Sequence, residues 1–156
     1  MLRALEQPFD SRRFKDFLGA GREILVIVND ASRPTPTALI LGLLGDLARD
    51  PSRLTFLVAT GIHRPPDRRD LSFIFGPHLP ALRDRIFIHD GGREEDAVKI
   101  GTTRRGTEVM LNARAVKAKK IICVSSVEPH YFAGYTGGRK SFLPGIAARK
   151  SIEQNH

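Results

Sequence analysis

Four short apolar runs punctuate this chain: EILVIV at 23–28, LTFLVA at 54–59, IFIHD at 86–90 and KIICVSS at 120–126. Each is too short to fill a helix layer, and the first two are apolar without alternation. That pattern marks strands buried on both faces, which a parallel sheet covered by helices provides. The intervening stretches supply such helices. TPTALILGLLGDLARD, 35–50, has helical spacing that sets Leu39, Leu43, Leu44 and Leu47 on one side, although Gly42 and Gly45 each weaken it by up to ~1 kcal/mol. Further helices are predicted around 67–75 and 111–118, with a small hairpin pairing 98–101 with 107–110 around RRG. The expected fold is α/β: a Rossmann-like three-layer domain with a mainly parallel sheet and helices on both faces. No repeat, low-complexity tract or linker divides it.

A polar constellation follows each run: NDASRPTP, TGIHRPP, HDGG and VEPHYFAGYTGGRK. The carboxyl ends of parallel strands share one edge of the sheet, and ligands bind along it. Topology alone therefore gathers Asp30, Arg33, His63, Arg64, His89, Asp90, His130, Arg139 and Lys140 on one rim. Ordinary structural roles compete with this reading. Asp30 or Thr35 could cap the next helix. Arg33, between Ser32 and Pro34, suits bidentate carboxylate recognition or a surface ion pair. His63 could be merely exposed, and His89-Asp90 ahead of Gly91-Gly92 reads equally as a turn. His78 in GPHLP is expected in surface loop and Cys123 in the core.

Charge narrows the partner. There are 25 Lys and Arg against 17 Asp and Glu, a formal net charge of +8, so an anionic ligand or partner is expected. The basic residues are scattered, and two tyrosines with no tryptophan offer little base stacking, which disfavours nucleic acid. A non-catalytic anion-binding or nucleic-acid-binding basic α/β domain is the alternative reading. No apolar run reaches the roughly 18 residues of a membrane span, and the N-terminus lacks a secretory apolar region. A single cysteine rules out an internal disulfide, so a cytoplasmic location is expected. GYTGGRKS approaches a phosphate-binding loop pattern with Lys140 and Ser141 in place. Arg139, however, fills the second glycine slot, and Pro144 opposes the helix that must follow.

NDASRPTPT, ATGIHRPP, HD and SSVEPHYFAGYTGGRKSFLPGIAARKSIEQNH together resemble the nickel-dependent lactate racemase family, in order and over nearly the whole chain. The last segment is the most specific, with His130, Lys140 ten residues on and His156 sixteen beyond that. The resemblance implies that Lys140 carries, as a thioamide, a nickel-pincer nucleotide derived from nicotinic acid mononucleotide, with His156 as a nickel ligand. It implies His63 and His130 as the two acid/base groups and Arg33 as the clamp on the substrate carboxylate. Asp30, Gly137, Gly138 and Arg139 join Lys140 in the implied cofactor-binding set.

The implied reaction is racemisation or epimerisation of a small anionic 2-hydroxy acid. Hydride passes from Cα to the pyridinium while a histidine takes the hydroxyl proton, and a 2-keto acid is reduced again on its other face. Imidazoles, which titrate near neutrality, suit a reaction that runs both ways. Residues 1–156 would be an N-terminal cofactor-binding domain, incomplete without a C-terminal domain. This stretch by itself is expected to be inactive and without cofactor, and cofactor-synthesis proteins are the implied partners.

Overall fold

The computed structural model describes residues 2–19, 23–44, 51–131 and 134–155. Helices α1 (Leu2–Glu6) and α2 (Phe14–Leu18) precede strand β1 (Ile24–Asn29). Then come α3 (Thr37–Leu43), β2 (Leu54–Ala59), α4 (Arg68–Phe75), α5 (Leu79–Leu82) and β3 (Ile86–Ile88). The hairpin β4 (Ala97–Thr102) and β5 (Glu108–Asn112) leads through α6 (Ala113–Lys117) to β6 (Ile121–Val124). A two-residue hairpin, β7 (Pro129–His130) and β8 (Gly134–Tyr135), precedes α7 (Arg149–Asn155).

β1, β2, β3 and β6 form one sheet in the order β3-β2-β1-β6, every pair parallel. Alternate side chains of each strand go to opposite faces. Ile24, Val26, Val28, Leu54, Phe56 and Val58 pack under α3, α4 and α5, where Phe56 meets Phe75 edge to face at 5.3 Å. Leu25, Ile27 and Leu57 pack on the other face against Ala115 of α6 and Ile146. Each such aliphatic or aromatic side chain contributes about 1.5–3 kcal/mol by leaving water. The expected three-layer α/β architecture is thus present, and α4 begins on a capping box between Asp67 and Asp70.

Local differences have tertiary causes. α3 turns Thr37 and Leu41 inward, with Ile40 and Leu44 beside them, so Leu39 stays 63% exposed. Of the expected leucine stripe, Leu39 and Leu43 lie about two-fifths of a turn from Leu41, whereas Leu44 packs with it; Leu47 lies outside the described residues. β5 runs on to Asn112 because Ile146–Ala148 pair with its end: Asn112 N–H donates to Ile146 O and Ala148 N–H to Met110 O. The expected helix therefore starts two residues later than its predicted start, capped by the Asn112 side chain. Cys123 is exposed, not core, because β6 is an edge strand. His78 is no plain loop residue: its Nε2 meets Ala38 O at 3.2 Å and steadies α3.

β2 and β3 follow β1 to one side, whereas β6 lies on the other. The chain direction across the sheet therefore reverses between β1 and β6. The loops leaving those strands diverge and open a crevice at their carboxyl ends.

Candidate active site

One wall of the crevice is the loop after β1. Asp30, only 7% exposed, accepts at Oδ1 from the Ser32 N–H (3.2 Å) and the Ser32 hydroxyl (2.6 Å). Arg33 N–H donates to Asp30 O, closing the turn. The second carboxylate oxygen, Oδ2, lies 2.7 Å from His63 Nδ1. His63 stands on the loop after β2, where its N–H donates to Thr60 O and Gly61 adopts φ +57°. Because a carboxylate only accepts, Nδ1 carries the proton and Nε2 is left as a basic nitrogen. The His63 side chain is about half exposed, so that nitrogen is within reach of a ligand.

The floor joins β1 to β6 through hydroxyls. Thr35 Oγ1 accepts from Asn29 Nδ2 (2.8 Å) and Ser126 N–H (3.2 Å). Thr35 therefore braces two strands and does not cap α3, whose N-cap is Pro36. The far wall is the chain from Glu128 to Gly145. Thr136 Oγ1 donates to Ser126 O and accepts from Glu128 N–H, pinning the β7–β8 hairpin. Within that hairpin the His130 ring stacks on Tyr131. Gly137 then lies at φ +77°, where a Cβ would come within 2.7 Å of Ser126 O, so only glycine seats the loop this closely. A 3-10 turn over Gly138–Ser141 presents Lys140, and Gly145 N–H donates back to Lys140 O.

Between these walls lies a cleft of about 610 Å³, with Asp30, Arg33 and His63 on one side and His130, Gly137 and Lys140 on the other. Six of the expected site residues thus share one space. Gly138 and Arg139 do not line it, and Arg139 is exposed. Asp30 is committed first to His63 and Ser32, whatever it offers a ligand. Arg64 turns away to Asp70 at 2.7 Å, and His156 lies outside the described residues.

His89 and Asp90 also fall away from the rim. His89 is buried beneath it, with Nε2 at 2.9 Å from Ala147 O and Nδ1 at 3.3 Å from Asn112 Nδ2. Burial pushes its pKa below the ordinary imidazole value, against smaller opposing effects of the Ala147 carbonyl, Asp90 and Asp96. His89 is a neutral strut, and Asp90 belongs to the turn with Gly92 and Arg93. A larger groove of about 960 Å³ runs over the α6 face of the sheet past Phe87 and Arg114. No histidine lines it, whereas His63 and His130 both line the smaller cleft.

The match to known proteins is decisive at the level of family. The lactate racemase N-terminal domain family matches residues 1–156. The chain belongs to this family. It is 36% identical to the lactate racemase of Thermoanaerobacterium thermosaccharolyticum and 35% identical to that of Lactiplantibacillus plantarum, over 99% of its own length in both cases. It spans 37% of the length of each of those relatives. The structure of the Thermoanaerobacterium lactate racemase apoprotein superposes with a TM-score of 0.86 at 35% identity, covering 96% of this chain and 36% of that one. A Thermotoga maritima protein, 21% identical, shares the fold with a TM-score of 0.76, covering 90% of this chain and 37% of its own. Among the described residues of this lactate racemase-type domain, no helix is long and apolar enough to cross a membrane.

Ser141, Thr136 and Asn29 also line the cleft, and the sequence reading did not select them as site residues. Ser141 could have been found from its place directly after Lys140. Thr136 and Asn29 carried no local signal.

Proposed function

We propose that this chain holds the cofactor and the proton-transfer groups of an enzyme that interconverts the enantiomers of a 2-hydroxy acid. The observation that carries the proposal is the Asp30–His63 pair at 2.7 Å, in the same cleft as His130, Arg33 and Lys140. A carboxylate-oriented imidazole facing a second imidazole, with a cation between strand ends, suits an anionic substrate whose hydroxyl must lose and regain a proton.

The cleft fits a group tethered on Lys140. Glycine at 137 lets the backbone lie where a Cβ would strike Ser126 O, and the buried Ser141 hydroxyl beside Lys140 lacks a hydrogen-bond partner. Lys140 would carry the nickel-pincer nucleotide, with His156 as a nickel ligand. When bound, that group supplies an electrophilic pyridinium that accepts the Cα hydrogen and returns it.

The remaining chemistry belongs to side chains of this chain. Arg33 binds the substrate carboxylate through its guanidinium fork. His63 Nε2 takes the hydroxyl proton of one enantiomer, while Asp30 keeps Nδ1–H in place and stabilises the imidazolium. His130 gives or takes the same proton from the other wall, so each histidine is acid in one direction and base in the other. Cofactor-synthesis proteins and the remainder of the enzyme would complete the system.

The test uses the full-length protein produced together with cofactor-synthesis proteins. Intact mass should show an adduct on Lys140, and chiral chromatography should show L-lactate converted to the racemate. Lys140→Ala should lose both. A wild-type protein with neither adduct nor racemisation would rule the reading out.

A further inference from the structure

Ser141 is a deeply buried polar side chain in the cleft wall, 4% exposed, yet its hydroxyl makes no hydrogen bond. The Cys123 thiol comes near enough to feel that hydroxyl, but not at hydrogen-bonding geometry, and a protonated thiol is a weak partner in any case. The backbone around it is tightly packed: a Cβ at Gly145 would fall 2.5 Å from the Ser141 carbonyl oxygen and 2.9 Å from that of Lys140.

A buried hydroxyl without a partner destabilises a fold, and alanine would fit the same space without that cost. Such an atom needs an explanation, and a ligand that completes it is the simplest one here. The threonine hydroxyls of the cleft are already occupied: Thr60 donates to His89 O, and Thr136 bonds Ser126 and Glu128. Beside Thr60 and Thr136, Ser141 alone keeps its donor in reserve. Its position after Lys140 matches the Lys-Ser pair of a phosphate-binding loop, whose glycine and helix are missing here.

We infer that the Ser141 hydroxyl is a ligand-binding donor, hydrogen-bonding an anionic oxygen of the group that enters the cleft beside Lys140. The inference deepens the function proposed above and rests on it for the ligands. An anionic oxygen could be the phosphate of a nicotinic acid mononucleotide-type cofactor or the carboxylate of the substrate. Two probes separate them: nicotinic acid mononucleotide for the first and oxalate, a dianion resembling a 2-keto acid, for the second.

Full-length wild-type protein and Ser141→Ala are compared without cofactor by thermal melting and by calorimetric titration with each probe. The expected result has opposite signs. The melting temperature of Ser141→Ala stays level or rises, while affinity for one probe falls by about tenfold or more, as loss of a hydrogen bond to a charged group requires. Loss confined to nicotinic acid mononucleotide assigns Ser141 to the cofactor, and loss confined to oxalate assigns it to the substrate. A lower melting temperature in Ser141→Ala would make the hydroxyl structural and overturn the inference. So would unchanged affinity for both probes, or a wild type that binds neither. Loss of probe affinity in Ser141→Ala, with no adduct on Lys140 in the wild type, would reject the tether while keeping Ser141 as the donor.

Discussion

Asp30 and His63 show how one residue's role depends on a partner far along the chain. Asp30→Asn keeps the shape but can present either end of an amide to Nδ1, so the wrong imidazole tautomer becomes accessible. Racemisation by the full-length enzyme should fall by about 10²-fold or more, with lactate KM little changed, as read from initial rates by chiral chromatography. His89 makes the opposite kind of contribution, because it is held neutral. Its folded-state pKa lies below the ordinary value of 6.5 through burial, so the unfolded chain binds the proton first as pH falls. Its contribution to stability is complete above about pH 6.5 and is lost as pH drops below that value toward the folded pKa. Urea midpoints should therefore decline between pH 7.5 and pH 5.5. His89→Asn should be less stable at pH 7.5 and show a flatter decline.

Elements hold the cleft through a few backbone requirements. Gly137 and Gly106 both adopt positive φ, but a Cβ at 106 meets open space whereas one at 137 meets Ser126 O and Val127. Gly106→Ala should cost about 0.5–1 kcal/mol from backbone conformation alone. Gly137→Ala should cost more than that and weaken oxalate binding, both read from chemical denaturation and calorimetry. α4 offers a control away from the chemistry. The Asp67 side chain accepts from Arg69 and Asp70 N–H groups, so Asp67→Ala should cost about 1 kcal/mol of stability and leave oxalate affinity unchanged.

Across the whole molecule, the hairpin and the C-terminal helix are coupled electrostatically. Glu108 on β5 pairs with Lys99 on β4 and, at 3.0 Å, with Lys150 on α7. Hydrogen bonds from Lys99 and then Lys150 pull its pKa down to about 2. The pair's contribution is present above the ordinary carboxylate value of 4.5 and is lost as pH falls through about 2. This window opens near 4.5, below the 6.5 at which that of His89 opens, so acid unfolding should steepen in two stages, the lower one weakened by salt. α7 also supplies Ile152 and Asn155 to the cleft, which links that surface pairing to the site. The 156-residue stretch, at 37% of the length of its relatives, is expected to show no racemisation when assayed alone; turnover by it would show the remaining length to be dispensable.

Strand positions, parallel pairing and the gathering of polar loops at one sheet edge were legible in the sequence, because they follow from local runs of apolar residues and from what such runs must bury. That basis placed Arg33, His63, His130 and Lys140 on the rim among others, and the resemblance of the segments that carry them to one family singled them out. The sequence did not determine which strand would form an edge, and so it could not show that Cys123 is exposed. Nor did topology alone separate His63, which reaches Asp30, from His89, which lies under the rim and supports Ala147. Those outcomes depend on strand order and register, which bring together atoms more than thirty residues apart. The unpaired Ser141 hydroxyl is the extreme case: a partner's absence is visible only once every neighbour has been packed around it.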